Sequence, residues 1–286
     1  MTPRSRVRDL TLGRWSPAEF LEIRKEVSMA QSRRGILTLG LVLAGGYAGL
    51  KFGVPAVSNL FAEDFDFEPI GKPAGFRKIT GGGSTAGFDP FFGLDDGSDA
   101  AMQALVADVE QRVCDALYGD LSGVADVVPL ASFSDYNCPF CRVLTQRLAK
   151  MEAAANGRLR IAWHELPLLG EASMTAAKGA LAAKRQGAYV QFHERLMRAP
   201  FQTTPEYLAV LAEDIGVNES QLVADMESEE VRRELQESSA LAEIFGFIGT
   251  PALVVGRTVV QGEIGEKGLN RLIEQERADG PIEACT

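Results

Sequence analysis

Between residues 100 and 118, apolar side chains recur at Met102, Leu105, Val106, Val109, Val113 and Leu117. Steps of three and four predict an amphipathic helix, and Cys114 lies on it. The period then changes. Residues 124–133, VADVVPLASF, form a run of apolar and β-branched residues that stops at Ser134-Asp135, as expected of a strand buried on both faces. Leu144, Leu148 and Met151 return to helical spacing, predicting a helix from the cysteine pair Cys138 and Cys141 to about Ala155, where Asn156-Gly157 supplies a stop. Residues 159–163 are the next predicted strand. Between Glu171 and Phe245 the composition turns to Ala, Leu, Glu, Gln and Arg with isolated glycines, which predicts four or five helices. ALVV and TVVQ, separated by Gly256-Arg257, predict two strands joined by a type II′ hairpin, and a last helix is predicted over about 266–277. The order is strand, Cys-bearing helix, strand, helical block, hairpin, helix: an α/β fold whose first two strands, joined by a helical crossover, should be parallel. No internal repeat interrupts it.

Charge changes the picture at the N-terminus. Residues 1–34 carry eight Arg or Lys against Asp9, Glu19, Glu22 and Glu26, and residues 35–50, GILTLGLVLAGGYAGL, are uncharged and mostly apolar. This pattern predicts a basic cytoplasmic region, then a signal or transmembrane segment over 35–54, with everything from Lys51 onward exported to the periplasm or cell envelope. The apolar run lies between the length of a signal core and a full span, so a cleaved signal and a permanent inner-membrane anchor are both open. SRRGILT, residues 32–38, resembles a twin-arginine export signal, and residues 56–58 or 60–62 offer small-residue cleavage sites. Residues 55–99 are expected to form a Gly/Pro/Phe-rich linker; from residue 63 on, its glycines and prolines argue against a regular helix or strand. Yet Phe61, Phe65, Phe67, Phe76, Phe88, Phe91 and Phe92 are too many for a fully solvated tether, so part of it should pack on the folded domain, residues 100–286. The net charge of −10, with no basic stripe interleaved with aromatics beyond residue 34, excludes nucleic acid as a partner.

The candidate chemistry is in SFSDYNCPFC, residues 132–141. A thiol attacks as thiolate, and Cys138 is predicted where a strand ends and a helix begins, with Pro139 at a position that tolerates a missing N–H. Unpaired amides and the helix dipole there favour negative charge. Cys141 is one turn on, within disulfide reach. Cys138 is then the attacking thiol and Cys141 the resolving one. Zinc needs two more ligands, and Cys114, Cys285, His164 and His193 are not at ligand-pair spacing. His193, in QFHERL, reads as an ordinary helical residue rather than the base of a papain-like pair. A static bridge over a two-residue gap would restrict the unfolded chain very little. A redox centre is the reading that survives.

FSDYNCPFC, WHELPLLGEAS, QGAYVQFHERLM and GTPALVV, in this order from about residue 124 to 276, resemble the DsbA-like thiol-disulfide oxidoreductases of the thioredoxin superfamily. The resemblance implies a thioredoxin fold with a helical domain inserted at about 171–246. It also implies that Pro251 is a cis-proline facing the cysteines and that the backbone of Thr250 pairs with an extended substrate peptide. Phe140 joins Thr250 and Pro251 as a substrate-facing residue. Where the best-known oxidants of the family carry Pro-His between the cysteines, this chain carries Pro139-Phe140, and Arg142 is the candidate to compensate for the lost cation. The Cys138 pKa is accordingly expected between about 3.5 and about 7.

The function implied is an exported enzyme exchanging disulfides with unfolded or partly folded envelope proteins, an oxidase of moderate strength served by a membrane redox partner. No organic cofactor or metal is implied. A reductase or isomerase kept reduced by such a partner is the nearest alternative, since the motif does not set the direction of electron flow. A thiol-based copper carrier or anchored holdase is the alternative of another class. In an exported chain the remaining Cys114 and Cys285 are a candidate structural disulfide. Glu165 and His164 are read as a solvated strand end, with a proton-relay role for Glu165 as the competing reading.

Overall fold

The computed structural model describes residues 65–80, 83–85, 99–124, 126–199, 203–282 and 285. The expected basic region and the signal or anchor segment of residues 35–54 lie outside the described residues, among which no helix is long and apolar enough to cross a membrane.

The strands are β1 Glu68–Pro69, β2 Arg77–Thr80, β3 Val128–Ser134, β4 Leu159–Glu165, β5 Ala252–Val255 and β6 Thr258–Gln261, in the sheet order β1-β2-β6-β5-β3-β4. As expected, β3 and β4 are parallel, Val128 opposite Leu159 through Ser134 opposite Glu165. β5 and β6 form the antiparallel hairpin, and Gly256 at its turn has φ +55°. β5 also pairs antiparallel with β3.

The helices are α1 Asp99–Gln111, α2 Val113–Tyr118, α3 Pro139–Ala154, α4 Glu171–Arg185, α5 Tyr189–Arg198, α6 Pro205–Ile215, α7 Glu219–Met226, α8 Glu229–Phe245 and α9 Glu266–Asp279. Alternate strand positions feed two cores. Leu130, Leu253, Val255 and Val260 pack with Leu144 and Leu148 of α3 and Leu269, Leu272 and Ile273 of α9. Ala131, Phe133, Ala252, Val254 and Val259 pack on the other face with α1, α2 and the end of α8. Burial on both faces is why β3 and β5 read as continuous apolar runs rather than alternating ones. The inserted helices α4 to α7 and the start of α8 enclose a third core that includes Tyr136, Cys138 and Cys141.

Four expectations need correction. The linker expected over residues 55–99 contributes two strands to the sheet: β2 pairs parallel with β6, Arg77 opposite Thr258 through Thr80 opposite Gln261, and β1 pairs antiparallel with β2. Phe76 and Ile79 are buried against the two faces, and pairing covers an edge of β6 that would otherwise present unpaired backbone groups. The helix predicted over 100–118 breaks at Arg112, whose φ and ψ are −121° and 34°. The first strand of the central pair starts at Val128 rather than 124, because Gly123 and Asp126 take left-handed turn conformations at φ 69° and 60°. The second runs on to Glu165, two residues past its predicted end.

Candidate redox site

β3 ends at Ser134, and the loop Asp135-Tyr136-Asn137 turns the chain into α3 with Cys138 as the helix N-cap. Pro139 occupies the first helical position, where an N–H would be unpaired in any case. Asp135 fixes this turn. Its Oδ1 accepts from the Asn137 N–H at 2.7 Å and the Ser173 hydroxyl at 2.7 Å, and its Oδ2 accepts from the N–H groups of Leu168 and Leu169 at 2.8 and 3.0 Å. One buried carboxylate thus ties the cysteine loop to the segment after β4 and to the start of α4. Burial raises its pKa, and these four hydrogen bonds oppose the shift. Sequence reading took Asp135 only as the stop of a strand. The signal available was its Asx-turn position, two residues before Asn137.

Cys138 and Cys141 are both free thiols. The Cys138 Sγ accepts from the Cys141 N–H at 3.3 Å and, as a thiol, donates to the Thr250 carbonyl at 3.3 Å. The Thr85 hydroxyl is 3.5 Å from the same sulfur. The Cys141 thiol, by hydrogen bonding to Cys138, is the largest cause that lowers the Cys138 pKa, to about 6; burial opposes it, and the Thr85 hydroxyl and the Cys141 N–H add to the lowering. Cys141 is held well above the ordinary thiol range, first by burial and then by its role as donor to Cys138. At neutral pH one sulfur is therefore mostly thiolate and its neighbour keeps its proton. The Thr250–Pro251 peptide bond is cis. The Thr250 hydroxyl, without a hydrogen-bond partner of ordinary geometry among the described residues, adds a small lowering contribution at both sulfurs.

Phe140, half-exposed on the first turn of α3, faces Gly83. Arg142 does not replace the missing cation. Its Nε donates to the Tyr136 carbonyl at 3.1 Å and its Nη1 to the Ala199 carbonyl, so it braces the cysteine loop against the end of α5. The low pKa of Cys138 rests first on the Cys141 thiol and then on hydroxyl and amide donors.

Glu165 and His164 are not a solvated strand end; Glu165 is buried and His164 is half-buried. Glu165 Oε1 accepts from the Tyr136 hydroxyl at 2.6 Å and the Tyr189 hydroxyl at 2.7 Å, and His193 Nδ1 is 2.8 Å from the Tyr136 hydroxyl. This buried cluster anchors the cysteine loop through Tyr136. His193 belongs to it rather than to a cysteine–histidine pair. His164 stacks on Phe133, its Nε2 is 2.9 Å from the Leu117 carbonyl, and burial lowers its pKa to about 4. Cys114 and Cys285 are bonded, S–S 1.97 Å, joining α2 to the C-terminal end of the chain. Among the described residues no group of three or more His, Cys, Asp or Glu side chains is arranged to hold a metal ion.

Comparison with known proteins agrees with this geometry. A family model described as a DSBA-like thioredoxin domain matches residues 130–274, just over half of the chain. A thioredoxin-like oxidoreductase from Silicibacter pomeroyi DSS-3 is 34% identical, with 57% of this chain and 97% of that one covered and a TM-score of 0.52. The catalytic domain of Proteus mirabilis ScsC is 26% identical, with 62% and 98% covered and a TM-score of 0.51. The thiol-disulfide exchange protein alpha-DsbA2 from Wolbachia pipientis, 22% identical with 63% and 99% covered and a TM-score of 0.52, shares the fold. Comparison with curated proteins returns no match.

Proposed function

The chain belongs to the family of DSBA-like thioredoxin domains, and from that premise we propose that it oxidises thiols of unfolded or partly folded envelope proteins through Cys138 and Cys141. The observation that carries this reading is the split between a Cys138 thiol lowered to about 6 and a buried, protonated Cys141 one turn away.

In the oxidised enzyme a substrate thiolate attacks Cys138 Sγ, the Cys138–Cys141 bond breaks, and Cys141 leaves with the electron pair and takes up a proton. A second substrate thiolate then attacks the substrate sulfur of the mixed disulfide, and Cys138 leaves as thiolate. The substrate has lost two electrons and the enzyme has gained them; a membrane redox partner would take them on. A stable Cys138 thiolate drives the second step, because a thiol of low pKa is the better leaving group. A value of about 6 lies between the strongly oxidising and thioredoxin-like extremes of about 3.5 and 7, which supports an oxidant of moderate strength. Export is supported by the basic and apolar segments before residue 54 and by the Cys114–Cys285 disulfide, a bond that persists in oxidising compartments.

The test is the Cys141→Ala variant expressed in the native host. It should accumulate mixed disulfides with envelope proteins, while the parent pair is mostly oxidised in the cell. No trapped partners would overturn exchange, and a mostly reduced parent pair would turn the assignment to a reductase or isomerase.

A further inference from the structure

Cys138 has to meet protein substrates, yet it is 0% exposed. Against it lies a segment of the same chain. The Thr85 N–H donates to the Thr250 carbonyl at 2.7 Å and the Thr250 N–H donates to the Thr85 carbonyl at 3.0 Å, a closed antiparallel pair. Two residues earlier, the Gly83 carbonyl accepts from the Glu263 N–H at 2.8 Å. Side chains complete the fit. The Thr85 hydroxyl is 3.5 Å from Cys138 Sγ, while a Cβ on Gly83 would come within 3.0 Å of the Phe140 ring. Ser84, between them, is exposed. Residues 83–85 thus run along the site as an extended peptide and use both backbone groups of Thr250, the groups an incoming substrate strand would need.

We propose that residues 83–85 are an internal pseudosubstrate, and that a protein substrate reaches Cys138 only by displacing them, its own cysteine taking the place of Thr85. This rests on the exchange function proposed above and adds its regulation. A tethered strand competes at an effective concentration that a free peptide in dilute solution does not match, so weak contacts are enough to hold it. Its composition keeps it displaceable. Gly83 puts no side chain on Phe140, where a Cβ would press on the ring. Thr85 offers Cys138 a hydroxyl, with which no disulfide can form.

The test uses the full chain in its parent form and as Thr85→Pro, which removes the N–H that pairs with Thr250, and Gly83→Val, which drives a side chain into Phe140. Alkylation of Cys138 by iodoacetamide is timed on the reduced proteins at pH 8.5, where the Cys138 thiol is ionised and Cys141 is not. Both variants should react at least tenfold faster than the parent and show a several-fold lower KM for a cysteine-containing peptide. Rates and KM within twofold of the parent in both variants would overturn the pseudosubstrate while leaving exchange intact. If none of the three proteins exchanges with oxidised glutathione, the exchange function fails and the proposal with it.

Discussion

Cys138 and Cys141 are the same residue type three positions apart, and donor count separates them. Cys138 at the helix N-cap receives the Cys141 thiol, the Cys141 N–H and the Thr85 hydroxyl, while burial dominates at Cys141. The folded reduced protein therefore holds Cys138 below its unfolded pKa. Its contribution to stability is complete above the unfolded value, about 8.5, and is lost as pH falls through about 6. The raised Cys141 acts only above the ordinary thiol range and does not cancel this. The oxidised protein shares every carboxylate but has no such thiol, so the stability of the reduced form relative to the oxidised one should rise between pH 5 and pH 8. Urea unfolding of both forms at the two pH values checks this; a flat difference would contradict the thiolate assignment. The placement of the two thiols was legible in the sequence because spacing and the strand-to-helix junction put Cys138 at the N-cap and Cys141 one turn on. Arg142 was misread because spacing along a helix does not say where a long side chain ends, and this one ends on carbonyls. Asp135 was read only as a strand stop and Glu165 as solvated because an acidic residue at a strand end usually is, and only tertiary closure by α4 and α5 buries these two.

At the scale of elements, legibility followed burial. β3 and β5 carry unbroken apolar runs because both faces are covered, whereas RKIT in β2 has one apolar residue in four and sits in a Gly- and Pro-rich stretch. What holds β2 is a polar anchor that periodicity does not report. Arg77 Nε donates to the Thr258 hydroxyl oxygen at 2.8 Å, and its Nη2 donates to Glu276 Oε1 at 2.6 Å and Asp279 Oδ2 at 2.7 Å. Glu276 is buried and also accepts from the Arg257 N–H at 2.9 Å and its Nε at 3.2 Å. Arg77→Met keeps the stem but leaves this carboxylate with less compensation. Loss of a charge-assisted hydrogen bond predicts a destabilisation of about 1.5–3 kcal/mol. Chemical denaturation of the parent and variant measures it, and a change under about 0.5 kcal/mol, the size of an ordinary surface substitution, would show that pairing with β6 alone secures the strand. The helical block was legible as composition from Glu171 to Phe245, where α4 starts and α8 ends, but not the division of α8 between two cores. α8 starts in the inserted core with Val231 and Leu235 and finishes on the sheet with Ala240, Leu241, Ala242 and Phe245, so one helix belongs to both bodies.

Across the whole molecule the two cysteine pairs differ most in the length of chain they close. Cys114 and Cys285 are 171 residues apart in sequence, while Cys138 and Cys141 close a single turn. On the chain-entropy account the first bridge removes loop freedom from the unfolded state worth up to about 5 kcal/mol, and the second removes little. The long bridge also pins the C-terminal end to α2, whose Val113, Leu117 and Tyr118 pack under the sheet, so opening it loosens one whole face. The short pair gains on reduction instead, because its thiolate is stabilised in the folded state. Titration with dithiothreitol should therefore open the two bonds in order, Cys138–Cys141 first and Cys114–Cys285 only under conditions that also unfold the domain. Mass spectrometry of alkylated peptides at each step reads the order, and reduction of the long bond first would reverse the argument. The Cys114→Ala, Cys285→Ala double variant should lose about 2–5 kcal/mol of stability in urea while its Cys138 alkylation midpoint stays near 6. A shifted midpoint would mean that the distant bridge shapes the redox site as well as the fold.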